Sequence, residues 1–341
     1  MQVMNITATT EGDLGDVVIV SGILANLPGQ HRLLVRKSTI TKWRSDEAVA
    51  TAIKLLEPLI ATIPNIAELR AIRERERGDW DSAGFRSRHY KPWQTLFESH
   101  ASHLRDTVGI GRDLRFKPWL KVKPNERFWN KFIVNRSARH RNDLFPWHRL
   151  VESYGYKMVF IGTQQEHEDF CNAFGKVAYH KTETLLDVAE SIAGCERFIG
   201  NQSSAHCIAT ALGHPLLLEV SIHNPDVCFG YGDSIYCYDG NLPYFSLPAP
   251  EHAQPTIPTG MVPPGSWQYP GFPKSVTFDD LARKMKRSGI LNAEKVLMRE
   301  NVLRLSERNS NFFKSKSFAM VERALDDFSC TSSEACKASN V

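Results

Sequence analysis

With 341 residues the chain exceeds one ordinary hydrophobic core and suits two domains of about 150 residues each. A composition of 42% hydrophobic and 23% charged residues excludes a disordered or fibrous class, and no run approaches the roughly 18 apolar residues that span a bilayer. A net charge of +4 permits phosphate-bearing partners without demanding nucleic acid, and seven scattered cysteines without C-x-x-C spacing argue against a disulfide framework or a zinc site. With no signal sequence at the N-terminus, the expected compartment is a reducing cytoplasm, that of the host if the gene is viral.

Residues 1–9 alternate well enough for a first strand, which runs into Thr10-Glu11-Gly12-Asp13-Leu14-Gly15-Asp16. An apolar helix follows from Val17 to Leu27, Gly29 ends it, and His31–Val35 makes a second strand. This is a βαβ unit whose glycine loop lies where open α/β sheets bind ligands. The loop is neither a Walker A nor a G-x-G-x-x-G sequence, so a general dinucleotide fingerprint is unsupported. Asp16 opens the helix, where the dipole favours an ionised carboxylate, either as a simple cap or as a chemical group.

Ser45–Ile63 has helical spacing, and residues 66–72 form a short helix or strand. The mixed-sign run Arg70–Arg77 reads as a solvated helix face. From Gly84 to Arg115, Arg86, Arg88, His89, Lys91, Arg105, Arg112 and Arg115 interleave with Tyr90, Trp93 and Phe97. Such a pattern can stack on sugars or bases and hold phosphates; half-buried aromatics beneath snorkelling arginines give the same pattern. Lys117–Arg127, with Pro118 and Pro124, is the linker candidate.

A second α/β unit begins with the strand Phe132–Val134 and the polar loop 135–143, which carries Arg136, Arg139 and Arg141. Three arginines so close repel unless solvated or given an anion, and anion binding is the expectation here. Pro146 starts a helix that Gly155 ends, and Lys157–Ile161 is a strand turning at Gly162-Thr163. A helix (166–174), an edge strand (178–179) and a helix from Thr184 lead to the strand Arg197–Ile199. Gly200-Asn201-Gln202-Ser203-Ser204-Ala205 then turns into a small-residue helix closed by Gly213, and Pro215–Val220 is the next strand. A Gly/Asn/Ser turn entering a helix N-terminus is an anion cradle, or merely a serine cap. Beyond it, Ser221–Pro273 reads as loop or short strand, 276–286, 291–305 and 318–328 as helices, and 329–341 as a disordered tail.

Two α/β halves, each with a ligand loop after its first strand, suggest a GT-B glycosyltransferase. Gly12-Asp13-Leu14-Gly15-Asp16-Val17-Val18 resembles the G-D-[IV] loop of bacterial heptosyltransferases, glycosyltransferase family nine. Ile199–Leu212 resembles their G-x-D-S-G-x-x-H-x-A-A-A-L nucleotide turn, and Val159-Phe160-Ile161-Gly162 followed by Glu166 resembles their strand-glycine-glutamate step. The branch is divergent, of the kind met among phage proteins: Gln202 stands for the family's aspartate, Ser204 for its second glycine and Cys207 for its histidine, with His206 one residue early.

The resemblance implies a GT-B-like α/β fold with two Rossmann-like domains across a cleft. Residues 1–123 would form the acceptor side and 124–275 the nucleotide-sugar side, with helices over 276–328. It implies an inverting, metal-independent glycosyltransferase without cofactor, Asp16 acting as general base. The donor-binding set is Gly15, Asn135, Ser137, Gly162, Thr163, Leu185, Gly200, Asn201, Gln202, Ser203, Ser204, His206 and, for a ribose diol, Glu219; Arg136, Arg139 and Arg141 match no family position and join it by loop location and chemistry alone. The partners are a nucleotide-sugar donor and a glycan or modified nucleic-acid base as acceptor. Three other readings stay open: a non-catalytic nucleotide-binding protein, a phage-type DNA-base glycosyltransferase, and a GT-B-like epimerase.

Overall fold

The computed structural model describes residues 4–38, 44–73, 76–87, 95–110, 114–143, 145–221, 227, 229 and 234–237. In the first third of the chain, apolar runs separated by short loops build β1 (Thr7–Thr10), α1 (Leu14–Ala25), β2 (His31–Val35), α2 (Asp46–Ile60), β3 (Ile66–Ala71) and β4 (Trp80–Asp81). The four strands are parallel, in the order β3-β2-β1-β4. The chain winds outward from β1 to β3, then returns to place β4 on the other side of β1. That reversal is a topological switch point, and the loops after β1 and β4 open side by side there.

Helix α1 is apolar on every side, and Val17, Val18, Ile19, Val20, Ile23 and Leu24 are fully buried, as expected for a helix with neighbours all round. Helix α2 is amphipathic: Ser45 caps it by accepting from the Ala48 N–H at 3.2 Å, and Val49, Ala52, Leu56, Leu59 and Ile60 form its buried stripe. Helix α3 (Leu96–Val108) starts at Thr95, which exchanges capping bonds with Glu98, and ends at Gly109 in the left-handed region (φ 79°).

The second sheet comprises β5 (Phe132–Asn135), β6 (Met158–Phe160), β7 (Ala178–Tyr179), β8 (Arg197–Asn201), β9 (Leu216–Glu219) and β10 (Ser234–Cys237). Its crossovers include α4 (Trp147–Tyr154), α5 (Gln164–Phe174), α6 (Leu185–Gly194) and α7 (Ser204–Leu212). All its pairings are parallel, in the order β10-β9-β8-β5-β6-β7, which is the doubly wound Rossmann order with its switch point between β5 and β8. The expected α/β class of two Rossmann-like halves is the observed one. Both sheets lie within one compact unit, Met1–Gly240.

Segment 114–125 carries the chain between the sheets without regular secondary structure. It is packed rather than loose: the Trp119 and Leu120 N–H groups both donate to the Ala211 carbonyl of α7, at 2.9 and 3.1 Å. Gly22 of α1 lies under the Trp119 ring, where an added Cβ would come within 2.5 Å of it, so the glycine sets the approach.

One expectation changes. The described residues of Arg70–Arg77 form no helix: Arg70 lies in β3, where residues two apart share a face, and its guanidinium bonds Glu68 at 2.9 Å and Glu76 at 2.6 Å. The basic-aromatic stretch contains α3, and its Phe97 packs with Phe116 and Trp119 (ring centroids 5.4 and 6.2 Å), so this part is core. Arg88, His89, Tyr90, Lys91, Trp93 and Arg112 lie outside the described residues. From Ser221–Pro273 the described part includes the edge strand β10; the expected helices over 276–328 and the tail 329–341 lie outside the described residues.

Candidate active site

The turn from β1 into α1 places Asp16 in the first helical turn. Its Oδ2 accepts from the Asp13 N–H at 3.0 Å and from Arg86 Nη2 at 2.7 Å. Arg86 belongs to the 3₁₀ turn Ser82–Ser87 that follows β4, so the pairing of β4 with β1 brings it to the start of α1. Gly12 makes room for this arrangement, because a Cβ there would fall on the Asp16 carboxylate. The Asp16 side chain is only 13% exposed. Burial pushes its pKa above the usual carboxylate value, against the opposing pull of the Arg86 guanidinium. The Asp13 N–H at the helix start also lowers it, but desolvation outweighs both. A carboxylate raised in this way is a better proton acceptor.

Asp13 faces the other half of the molecule: its Oδ2 meets Arg139 Nη1 at 2.5 Å, and the Arg139 side chain is 55% exposed. Arg139 sits in the loop after β5, at the second switch point. That loop is wound around Asn201 at the end of β8. The Asn201 Oδ1 accepts from the Ser137 N–H at 2.9 Å, and its Nδ2 donates to the carbonyls of Arg139 at 2.6 Å and Ser137 at 3.1 Å. Arg141 donates from Nε to the Ser137 carbonyl at 3.1 Å.

Arg136 turns the opposite way. Its guanidinium forms two bonds to Glu219, at 2.9 and 3.0 Å, and lies over the Phe174 ring. Glu219 is wholly buried and also accepts from the Asn142 N–H at 2.6 Å and Trp147 Nε1 at 2.7 Å. These four donors engage both carboxylate oxygens, so Arg136 and Glu219 hold the loop's ends rather than facing a ligand.

At the start of α7, Ser203 accepts from the His206 N–H at 3.3 Å, the serine cap that its position suggests. The His206 ring points into the core: Nε2 lies 3.2 Å from Thr210 Oγ1, the ring stacks on Phe229, and burial pushes its pKa down to about 3. Gln202 is likewise buried, with Oε1 accepting from the Ser221 N–H at 3.2 Å. No acidic residue occupies the first turn of α7. Gly15 brings α1 against this same helix start, since a Cβ on it would lie 3.1 Å from Cys207 Sγ and 3.7 Å from Ser204 Cα. Two helix N-termini, one acidic and one not, therefore adjoin.

Along the same sheet edge, Asn135 donates from Nδ2 to the Ile161 carbonyl at 2.9 Å, while its buried Oδ1 has no hydrogen-bond partner among the described residues. Gly162 has φ 137°, which needs a glycine, and Thr163 caps α5 with Glu166. Leu185 begins α6 and is buried. Gly200 lies in β8 paired with Asn135 of β5, where a Cβ would approach the Asn135 carbonyl to 2.5 Å.

The structure thus gathers Gly15, Asp16, Ser137, Arg139, Asn201, Ser203 and Ser204 around the two helix starts, and turns the side chains of Arg136, Gln202, His206 and Glu219 inward. Sequence reasoning missed Asp13 and Arg86. The G-D-L-G-D spacing could have singled out Asp13; Arg86 stands among the basic-aromatic residues, with nothing local to tie it to Asp16. Among the described residues no group of three or more His, Cys, Asp or Glu is arranged to hold a metal, and no helix is long and apolar enough to cross a membrane.

No protein-family profile matches the sequence, and no curated protein matches it. Among solved structures the chain is similar to a family 9 glycosyl transferase from Veillonella parvula, with 13% identity, a TM-score of 0.45 and coverage of 68% of this chain and 85% of that one. It is also similar to the E. coli heptosyltransferase WaaC with ADP (13% identity, TM-score 0.44, 63% and 86% covered). The E. coli ADP-heptose LPS heptosyltransferase II is a third such chain (14% identity, TM-score 0.41, 68% and 89% covered).

Proposed function

We propose that the protein is an inverting glycosyltransferase that moves a sugar from a nucleotide-diphosphate donor to an acceptor hydroxyl. The observation that carries this reading is the partly buried Asp16 carboxylate, raised in pKa, beside the acid-free N-terminus of α7. Residues 1–123 would serve the acceptor and 124–275 the donor, in the cytoplasm. The diphosphate sits at the start of α7, where helix carbonyls cannot reach the N–H groups of Ser204 and Ala205 and the dipole is positive. Ser137, Arg139 and Arg141 complete the cradle, and Arg139 exchanges Asp13 for phosphate. Gly162, Thr163 and Leu185 border the base.

Asp16 takes the proton from the acceptor hydroxyl as its oxygen attacks the anomeric carbon, and the diphosphate leaves from the opposite face. A single carboxylate suffices for inversion because nucleotide diphosphate is a good leaving group. Arginine and backbone N–H supply the charge stabilisation, so the proposal requires no metal; one well-aimed donor is worth about 3–4 kcal/mol.

A screen of nucleotide sugars, ADP-heptose among them, tests the reading by thermal shift. A true donor at 100 times its dissociation constant adds about 2.7 kcal/mol. Release of nucleoside diphosphate on adding an acceptor should follow. Binding without release from any donor, across a broad panel of glycan and nucleic-acid acceptors, would leave a nucleotide-binding protein instead.

A further inference from the structure

We propose that Arg86 is the positioning residue of the reaction: it locks Oδ2 of Asp16 and so leaves Oδ1 as the atom that takes the acceptor's proton. The inference rests on the transferase reading given above. Both hydrogen bonds to the Asp16 carboxylate, from the Asp13 N–H and from Arg86, end on Oδ2. Oδ1 accepts none among the described residues. A carboxylate held by one oxygen cannot rotate freely, and its other oxygen keeps an unshared lone pair in a fixed direction. As the bond from the acceptor oxygen to the anomeric carbon forms, the hydroxyl proton passes to Oδ1. The anomeric carbon–oxygen bond breaks, and its electron pair leaves on the diphosphate.

Arg86 is itself held firmly. Its guanidinium lies 4.7 Å from the Phe85 ring centroid, and Phe85 packs on His100 at 4.2 Å. Beneath, Trp80 Nε1 donates to His103 Nδ1 at 3.0 Å, and Gly84 fits so closely over His103 that a Cβ would approach its ring to 2.7 Å. The turn that presents Arg86 is therefore seated on a buried aromatic platform, the kind of support that fixes a functional side chain. Its neighbour on the same sheet edge, Arg36, is engaged by Glu11 and Asp81 at 3.0 and 2.9 Å, whereas Asp16 is the one carboxylate that Arg86 meets among the described residues.

The titratable and charged groups around Asp16 are Asp13 on its own turn, Arg139 acting through Asp13, Arg86, His100 of α3 behind Phe85, and Cys207 of α7 beside Gly15. Of these, only Arg86 bonds the carboxylate with a charged donor.

The test compares Arg86→Gln and Arg86→Lys with the parent by three readings: kcat and donor KM, the pH profile of kcat/KM, and the carboxyl NMR titration of Asp16 without substrates. Arg86→Gln should lower kcat by about 10- to 100-fold, the worth of one charge-assisted hydrogen bond, with donor KM unchanged. Its acidic limb and the Asp16 midpoint should both move to higher pH, and Arg86→Lys should recover part of each. Melting temperatures close to the parent's show that the variants fold. A loss of kcat with limb and midpoint unmoved, or a rise in donor KM instead, would overturn the proposal. A midpoint that moves in a protein with no turnover on any nucleotide sugar would defeat the transferase reading and the base role with it, while leaving the Arg86–Asp16 coupling in place.

Discussion

The two switch points have the same topology and opposite electrostatics. At the first, the starting turn of α1 carries its own acids, Asp13 and Asp16, each paired with an arginine that solvent still reaches, Arg139 at 55% exposure and Arg86 at 35%. At the second, the start of α7 carries no acid, and the charged pair nearby, Arg136 with Glu219, is sealed in the interior. The exposed Arg139–Asp13 pair is worth little to stability and can exchange Asp13 for a ligand, whereas Arg86 holds a largely buried Asp16; the sealed Arg136–Glu219 pair cannot be opened without leaving a charge unsolvated. The first edge is thus equipped to handle a proton, and the second is a rigid frame around an unneutralised helix dipole that suits an anion.

The comparison can be broken most forcefully at the frame. Glu219→Ala should destabilise the fold by about 3–5 kcal/mol by stranding the Arg136 guanidinium, and it should appear as a fall in denaturation midpoint. Replacing Arg136 and Glu219 together by Met and Leu should recover much of that loss; a single variant as stable as the parent would show the pair is not a frame. Next comes Arg139→Ala, which should weaken donor binding by about 10- to 100-fold in calorimetry, as expected for one charge-assisted bond, while leaving the melting temperature nearly unchanged. Unaltered affinity would remove Arg139 from the cradle. The smallest effect belongs to Ser203→Ala, a lost helix cap worth about 1 kcal/mol in stability.

A pH experiment sharpens the same contrast. Because burial raises the pKa of Asp16, the native state binds a proton more readily than the unfolded chain, and the ionised carboxylate detracts from stability at neutral pH. Asp16→Asn should therefore melt higher than the parent at pH 7, and the advantage should shrink as the pH falls towards 3.8, the unperturbed value. The buried His206 works in the other direction: its pKa is pushed down to about 3, so the stability it contributes while neutral is lost as the pH drops below 6.5. His206→Leu should flatten that acid slope in thermal melts.

The frame and the cradle differ also in how far the sequence exposes them. Periodicity and turn residues place β2 to the residue and most of the strands and helices of the second sheet within a few residues, because those signals are local. The two-residue β4 has no period to read, and α3 was obscured by its charge although Thr95, Glu98 and Gly109 mark its ends. The loop after β5 was legible as a site, but the partner of each of its arginines was not. Arg136 finds Glu219 at 83 residues' distance, Arg139 finds Asp13 at 126, and Arg86 finds Asp16 at 70. Only the strand order brings such residues together, so which arginine faces inward and which faces a ligand is decided by the fold.

The most direct test of a proton-handling edge joined to an anion-holding edge is Asp16→Asn, measured for donor affinity by calorimetry and for turnover in the same preparation. The expected result is donor affinity within about twofold of the parent with kcat lower by about 10²- to 10⁴-fold, the range for losing a general base. Donor affinity lost while turnover persists would contradict the division of labour between the two edges.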